Sequence, residues 1–166
     1  MKYEILDKKY LAEMVYSAVI RAEHIAARAQ AGQFVILRLD ETGERFPLTL
    51  CDWSPREGWI RLVYQVVGRS TYKLSKMEAG DAILDVVGPL GRPSEIEDYG
   101  HVACVGGGVG IAAIYPICRE MRRAGNRVTG ILGARNADLL ILEEDMAQVV
   151  DELIISTDDG TRGIKG

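Results

Sequence analysis

Gly106-Gly107-Gly108-Val109-Gly110 lies between an apolar β-branched run, Val102-Ala103-Cys104-Val105, and an Ala/Ile stretch, Ile111-Ala112-Ala113-Ile114. Four glycines in five positions leave main-chain N–H groups bare where a strand gives way to a helix. A phosphate can approach such a turn closely, and the positive end of the helix dipole favours it there. The spacing is G-G-G-x-G rather than G-x-G-x-x-G, and a plain turn that packs a helix tightly on a strand also uses glycines. A second candidate is Gly68-Arg69-Ser70-Thr71, ahead of the helical pattern Tyr72-Lys73-Leu74-Ser75-Lys76-Met77. Ser70 and Thr71 read as N-caps, and a cap that faces a phosphate does both jobs.

Other polar residues carry weaker signals. Thr49 in an apolar run is either a hydrogen-bond donor to a ligand or simply a good strand former. Asp158-Asp159 follow Leu153-Ile154-Ile155, so they lie in a strand-end loop. They either hold a ribose hydroxyl or make an Asx turn before Gly160, and the turn is the simpler reading. His24 and His101 stand alone and are assigned no catalytic role, and Glu143-Glu144-Asp145 reads as a solvated helix face. Cys51, Cys104 and Cys118 are odd in number and widely spaced. They fit neither a disulfide framework nor a metal knuckle, and are expected to be reduced, structural thiols of a cytoplasmic protein. No residue is predicted to be catalytic or to bind a metal.

The elements that position these residues change character near residue 97. Before it, apolar alternation and turn chemistry predict strands over 3–8, 12–21, 33–39, 46–51, 59–67 and 82–87, with brief helices over 24–30 and 71–77. Six short strands suit a small antiparallel barrel, which removes exposed edges by closing on itself. After residue 97 the order is strand 101–105, helix 110–124, strand 127–132, a helix within 138–150 and strand 153–157. Strands alternating with helices imply a parallel sheet with right-handed crossovers and binding at the carboxyl ends of its strands, where the glycines lie. The expected domains are therefore 1–97 and 98–166. Three strands make a narrow sheet, and 161–166 reads as loop, so the chain is expected to stop inside its second domain.

Composition is that of a soluble globular protein, with 48% apolar and 27% charged residues. A formal net charge of −4 and the lack of a clustered Lys/Arg stripe argue against a nucleic-acid partner. The N-terminus has no apolar core of a signal peptide, and no run approaches membrane-spanning length, so no membrane role is expected.

A small barrel followed by a nucleotide-binding α/β domain resembles the ferredoxin–NADP reductase superfamily. Arg45-Phe46-Pro47-Leu48-Thr49-Leu50 is similar to the strand that meets the flavin ring in that family. Val63-Tyr64-Gln65-Val66-Val67-Gly68-Arg69-Ser70-Thr71 resembles the strand and helix start that hold its ribityl-pyrophosphate arm. Gly88-Pro89-Leu90-Gly91 closes the barrel as the family does, and Gly106–Gly110 corresponds to its nicotinamide-nucleotide loop. Leu132-Gly133-Ala134-Arg135-Asn136 and Thr157-Asp158-Asp159-Gly160-Thr161 resemble the electron-transfer subunit of dihydroorotate dehydrogenase. They are equally similar to the small subunit of NADH-dependent ferredoxin–NADP oxidoreductase and to the sulfide dehydrogenase beta subunit.

The flavin strand departs from the family's Arg-x-Tyr-Ser: Phe46 stands three residues before Thr49, and Arg45 one further back. That shift puts Arg45 on the other face of the strand. Leu48 takes the place of the stacking aromatic residue.

The resemblance implies an electron-transfer subunit of an oxidoreductase that binds FAD and NAD(P)H. It implies a [2Fe–2S] cluster in the full-length protein, outside this chain. The implied partner is a catalytic flavoprotein subunit, dihydroorotate dehydrogenase-like or glutamate-synthase-like, with ferredoxin as a further partner. On this reading Arg45, Pro47, Leu48, Thr49, Val63, Tyr64, Gln65, Gly68, Ser70 and Thr71 contact FAD. Gly106, Gly107, Gly108, Val109, Gly110, Arg135 and Asp159 contact the nicotinamide nucleotide, Arg135 as a candidate partner of a 2′-phosphate. The alternatives are a Rossmann-type oxidoreductase with an unrelated N-terminal domain, and a flavin-free interaction module.

Overall fold

β1 (Tyr3–Ala12) and β2 (Val15–Arg21) form a hairpin that turns on Glu13 and Met14 alone. Met14 takes a left-handed φ of 60°, which a type of turn usually given to Gly or Asn demands. The strand predicted over 12–21 thus runs through a turn that has no sequence signature: β1 extends past the expected residue 8 to Ala12, and β2 begins at Val15. The computed structural model of the chain describes residues 3–166. They fall into two compact units, one ending at Pro93 and the other beginning at Ser94.

The first unit adds β3 (Phe34–Arg38), β4 (Phe46–Ser54), β5 (Trp59–Gln65), β6 (Ala82–Ile83) and β7 (Asp85–Leu90), with α1 (Glu23–Ala26) and α2 (Arg69–Lys76) between them. All pairings are antiparallel, in the order β6-β1-β2-β5-β4-β3-β7. The two outer strands, β6 and β7, are separated in the chain by Leu84 only, so the sheet is bent round into a nearly closed barrel. Leu84 N–H donates to Leu39 O at 3.2 Å across that corner. Among the described residues there are seven strands rather than the expected six, because the predicted 82–87 segment breaks at Leu84 and its second half runs on to Leu90.

Alternation puts Ala18 and Ile20 of β2 and Ile60, Leu62 and Tyr64 of β5 into one core with Ile5. The first helix is shorter than predicted. Gly32 is left-handed and the Gln33 side chain accepts the Gln30 N–H at 2.9 Å, which diverts the chain from helix after Ala26.

The second unit holds β8 (His101–Gly107), a 3-10 turn at Gly108–Gly110, α3 (Ile111–Arg123), β9 (Arg127–Ala134), α4 (Glu143–Val149), β10 (Glu152–Thr157) and β11 (Ile164–Lys165). Its strands are all parallel, in the order β11-β10-β9-β8. Strands added in one direction by right-handed crossovers place α3 and α4 on the same face. Arg122 of α3 donates to Gln148 O of α4 at 3.0 Å. The 161–166 segment is not all loop: Ile164 and Lys165 pair with Ser156 and Thr157 as a fourth strand. Gly163, left-handed at φ 67°, makes that return, and a Cβ there would lie 2.1 Å from Ile155 O.

Candidate functional site

In the barrel unit, β5 leads through Val66 and Val67 into α2. Gly68 is the N-cap, in fully extended conformation, with nothing within 4 Å of where a Cβ would stand. Ser70 and Thr71 are inside the first turn of α2 rather than ahead of it. Thr71 therefore caps from within: its hydroxyl accepts from Val67 N–H at 3.1 Å and Gly68 N–H at 3.2 Å, and donates to Gly68 O at 3.1 Å. The first-turn amides of a helix have no main-chain acceptor of their own. Arg69 and Ser70 of that turn line a cavity of about 90 Å³, together with Leu39, Thr42, Gly43, Glu44 and Lys73. Lys73 forms an ion pair with Asp40, whose carboxylate also takes the Thr42 N–H at 3.0 Å. The open Cβ space at Gly68, bare amides and two cationic side chains fit a pyrophosphate.

β4 divides its predicted contacts between two faces. Leu48 and Phe46 pack against the barrel core, while Pro47 and Thr49 are exposed on the other side. Arg45 lies just before the strand, 3.6 Å from the Asp85 carboxylate, which Arg38 already holds at 2.6 Å. On β5, Val63 and Tyr64 are buried and Gln65 is exposed. Tyr64 stacks on Tyr16 with ring centroids 6.0 Å apart, and its buried hydroxyl has no hydrogen-bond partner among the described residues. Burial pushes its pKa up. Its side chain belongs to the core, which leaves the main chain and Gln65 to face a ligand.

In the second unit the four glycines have different physical reasons. A Cβ at Gly106 would lie 2.9 Å from Ile114 Cδ1 and 3.1 Å from Ile111 Cα, so Gly106 lets α3 pack on β8. Gly108 is left-handed, at φ 53°. Gly107 and Gly110 have neither reason. A Cβ at Gly107 meets nothing closer than Gly133 O at 3.8 Å, and one at Gly110 meets nothing within 4 Å. Both have ordinary φ values, and the fold would accept a side chain at each. Val109 sits between them in the 3-10 turn.

Gly107, Gly133 and Ser156 stand side by side at the carboxyl ends of β8, β9 and β10. Arg135 follows β9; it is exposed and makes no ion pair among the described residues. Its main-chain oxygen accepts Asp159 N–H at 3.3 Å, which draws the two loops together. Asp159 makes an Asx turn, accepting the Thr161 hydroxyl at 2.6 Å and the Thr161 N–H at 2.9 Å. Those two bonds hold its carboxyl below the usual carboxylate range. Thr161 in turn accepts Ala137 N–H at 2.9 Å. The Asx turn is the simpler of the two readings that the sequence offered, whereas the link from Thr161 to Ala137 had no signal in it.

No protein-family model matches the sequence. The chain is 51% identical over 163 residues to the dihydroorotate dehydrogenase B (NAD(+)) electron transfer subunit homolog of Thermotoga maritima, covering 98% of this chain and 57% of that protein. It superposes on the solved NADH-dependent reduced ferredoxin-NADP oxidoreductase with a TM-score of 0.94 and 49% identity, over 100% of this chain and 60% of that one. A ferredoxin reductase of carbazole 1,9a-dioxygenase shares the fold over the whole chain, and 54% of its own, at 20% identity and a TM-score of 0.82. The chain is thus similar in sequence to an electron transfer subunit homolog and shares the fold of a ferredoxin reductase.

The chain spans less than two thirds of the length of the curated relatives it matches. The likeness covers the barrel as well as the parallel sheet, which removes the reading of an unrelated N-terminal domain. Among the described residues no helix is long and apolar enough to cross a membrane.

Proposed function

We propose that this chain is the FAD- and NAD(P)H-binding part of an electron-transfer subunit of an oxidoreductase. When bound, FAD held at Gly68, Ser70 and Thr71 and NAD(P)H held at Gly106–Gly110 would supply the redox chemistry that links nicotinamide, flavin and an iron–sulfur centre. The observation that carries the reading is the pair Gly107 and Gly110. Each lacks a side chain that the fold has room for, at a helix start where a phosphate needs bare amides.

The chain's own residues bind and orient. The first turn of α2, with Gly68, Ser70 and Thr71, takes the pyrophosphate of FAD. Pro47 and Thr49 on the exposed side of β4, and Gln65 with the main chain of β5, face the flavin. Gly106–Gly110 receive the nucleotide phosphates, while Arg135 and Asp159 lie beside the adenosine end. Arg135 is the candidate for a 2′-phosphate, which would favour NADPH. No side chain is needed as acid, base or nucleophile.

Two features support the partner assignment. The sequence is about half identical to an electron transfer subunit homolog, and the fold matches the NADH-dependent oxidoreductase throughout. A dihydroorotate dehydrogenase-like or glutamate-synthase-like catalytic subunit then accepts the electrons, with ferredoxin as a further partner in a cytoplasmic complex.

The test is the colour and content of the purified protein. A yellow protein releasing stoichiometric FAD is expected. A colourless protein would instead indicate the flavin-free interaction module, and FMN alone would remove the pyrophosphate role of α2.

A further inference from the structure

β8 and α3 meet face to face below the glycine turn. Gly106 lies under both Ile111 and Ile114. Two residues back along β8 is a step of about 6.6 Å, and four residues on from Ile114 along α3 is a step of about 6 Å. The helix returns antiparallel to the strand, so both steps run the same way. They land on Cys104 and Cys118, which lie close enough for each thiol to perturb the other's ionisation. Cys118 is fully buried, whereas Cys104 is half-buried.

We propose that Cys104 and Cys118 are a reversible dithiol–disulfide site, oxidised by a small-molecule disulfide of the glutathione class. Closing it ties β8 to α3 on either side of Gly106–Gly110. The two thiols have unequal roles. Their pairing draws the Cys104 thiol down to about 7 and, with burial, pushes Cys118 up. Cys104 is therefore the attacking thiolate.

Its sulfur displaces one thiolate from the small disulfide, forming a mixed disulfide. That bond removes the negative charge beside Cys118 and lowers the cost of ionising it. Cys118 then loses its proton to solvent, its sulfur attacks Cys104 Sγ, and the second small thiolate leaves. Two cysteine thiols and one small disulfide become one protein disulfide and two small thiols. Disulfides of this kind in reducing compartments are typically transient and regulatory.

The experiment treats the purified protein with oxidised glutathione, blocks residual thiols with N-ethylmaleimide and maps the products by peptide mass. A Cys104–Cys118 link is expected, reversed by dithiothreitol, with Cys51 in the barrel core unmodified. The rate should rise as pH passes through about 7. Cys118→Ser or Cys118→Ala should stop at a glutathione adduct on Cys104, and Cys104→Ser should leave Cys118 unmodified. Reaction of Cys104 and Cys118 only after denaturation would overturn the proposal. So would glutathione adducts on both cysteines without a link between them.

Discussion

Lys8 Nζ on β1 donates to the main-chain oxygen of Met77 at 2.5 Å, just past the end of the helix whose first turn holds Gly68, Ser70 and Thr71. It also donates to Ser75 O at 2.7 Å and to Glu78 Oε1 at 3.2 Å. With only 7% of the side chain exposed, this lysine is a buried C-terminal cap, and its charge complements the helix dipole. α2 is thus pinned to the barrel at one end and left open at the other.

Lys8→Met should cost about 2–3 kcal/mol, because charge-assisted hydrogen bonds from a buried donor are lost at once. Glu78, 76% exposed, is not left stranded. Urea unfolding measures the loss. The variant should also release flavin faster, and wild-type stability would show that the three bonds do not hold the helix.

Thr71→Val removes a hydroxyl that takes two N–H groups, and should weaken the start of α2 by about 1 kcal/mol. Thr71→Ser keeps the oxygen and should restore both stability and flavin retention. Equal flavin loss in both variants would show that the hydroxyl, which Thr71→Ser retains, is not what holds the flavin.

The two kinds of glycine should separate cleanly. Gly106→Ala forces a methyl group against Ile111 and Ile114 and should destabilise the second unit by about 1–3 kcal/mol. Gly107→Ala and Gly110→Ala should fold with wild-type midpoints and lose at least tenfold in NADH affinity. Titration calorimetry beside thermal unfolding tests the distinction. Unchanged affinity in the latter pair would remove the phosphate from this turn.

The glycine turn and its flanking strand and helix were legible because composition and periodicity agree there. Which glycines serve packing was not legible, since that depends on where Ile111 and Ile114 fall after folding. The barrel strands showed through their alternation. The Glu13–Met14 turn did not, because a left-handed Met is imposed by the pairing of β1 with β2 and not by local preference. β11 was hidden for a similar reason: two residues pair only once Gly163 has turned the chain against Ile155. In β4 the strand itself was legible, but the partition of Leu48 inward and Thr49 outward required the register with β3.

Arg135→Ala should leave stability unchanged, since the exposed guanidinium makes no ion pair among the described residues and its main-chain bond to Asp159 survives. NADPH affinity should fall more than NADH affinity. Equal changes for both nucleotides would leave Arg135 without a role in choosing between them.

The central claim is that this chain brings a nicotinamide nucleotide and FAD into one electron-transfer path. Anaerobic mixing of the purified flavoprotein with excess NADH or NADPH, followed by the visible flavin absorption, tests it most directly. Bleaching of the flavin band within a single turnover, suppressed in Gly110→Ala but not by loss of Arg135 when NADH is used, is the predicted result. A flavin that stays oxidised with both nucleotides, yet bleaches with dithionite, would contradict the account.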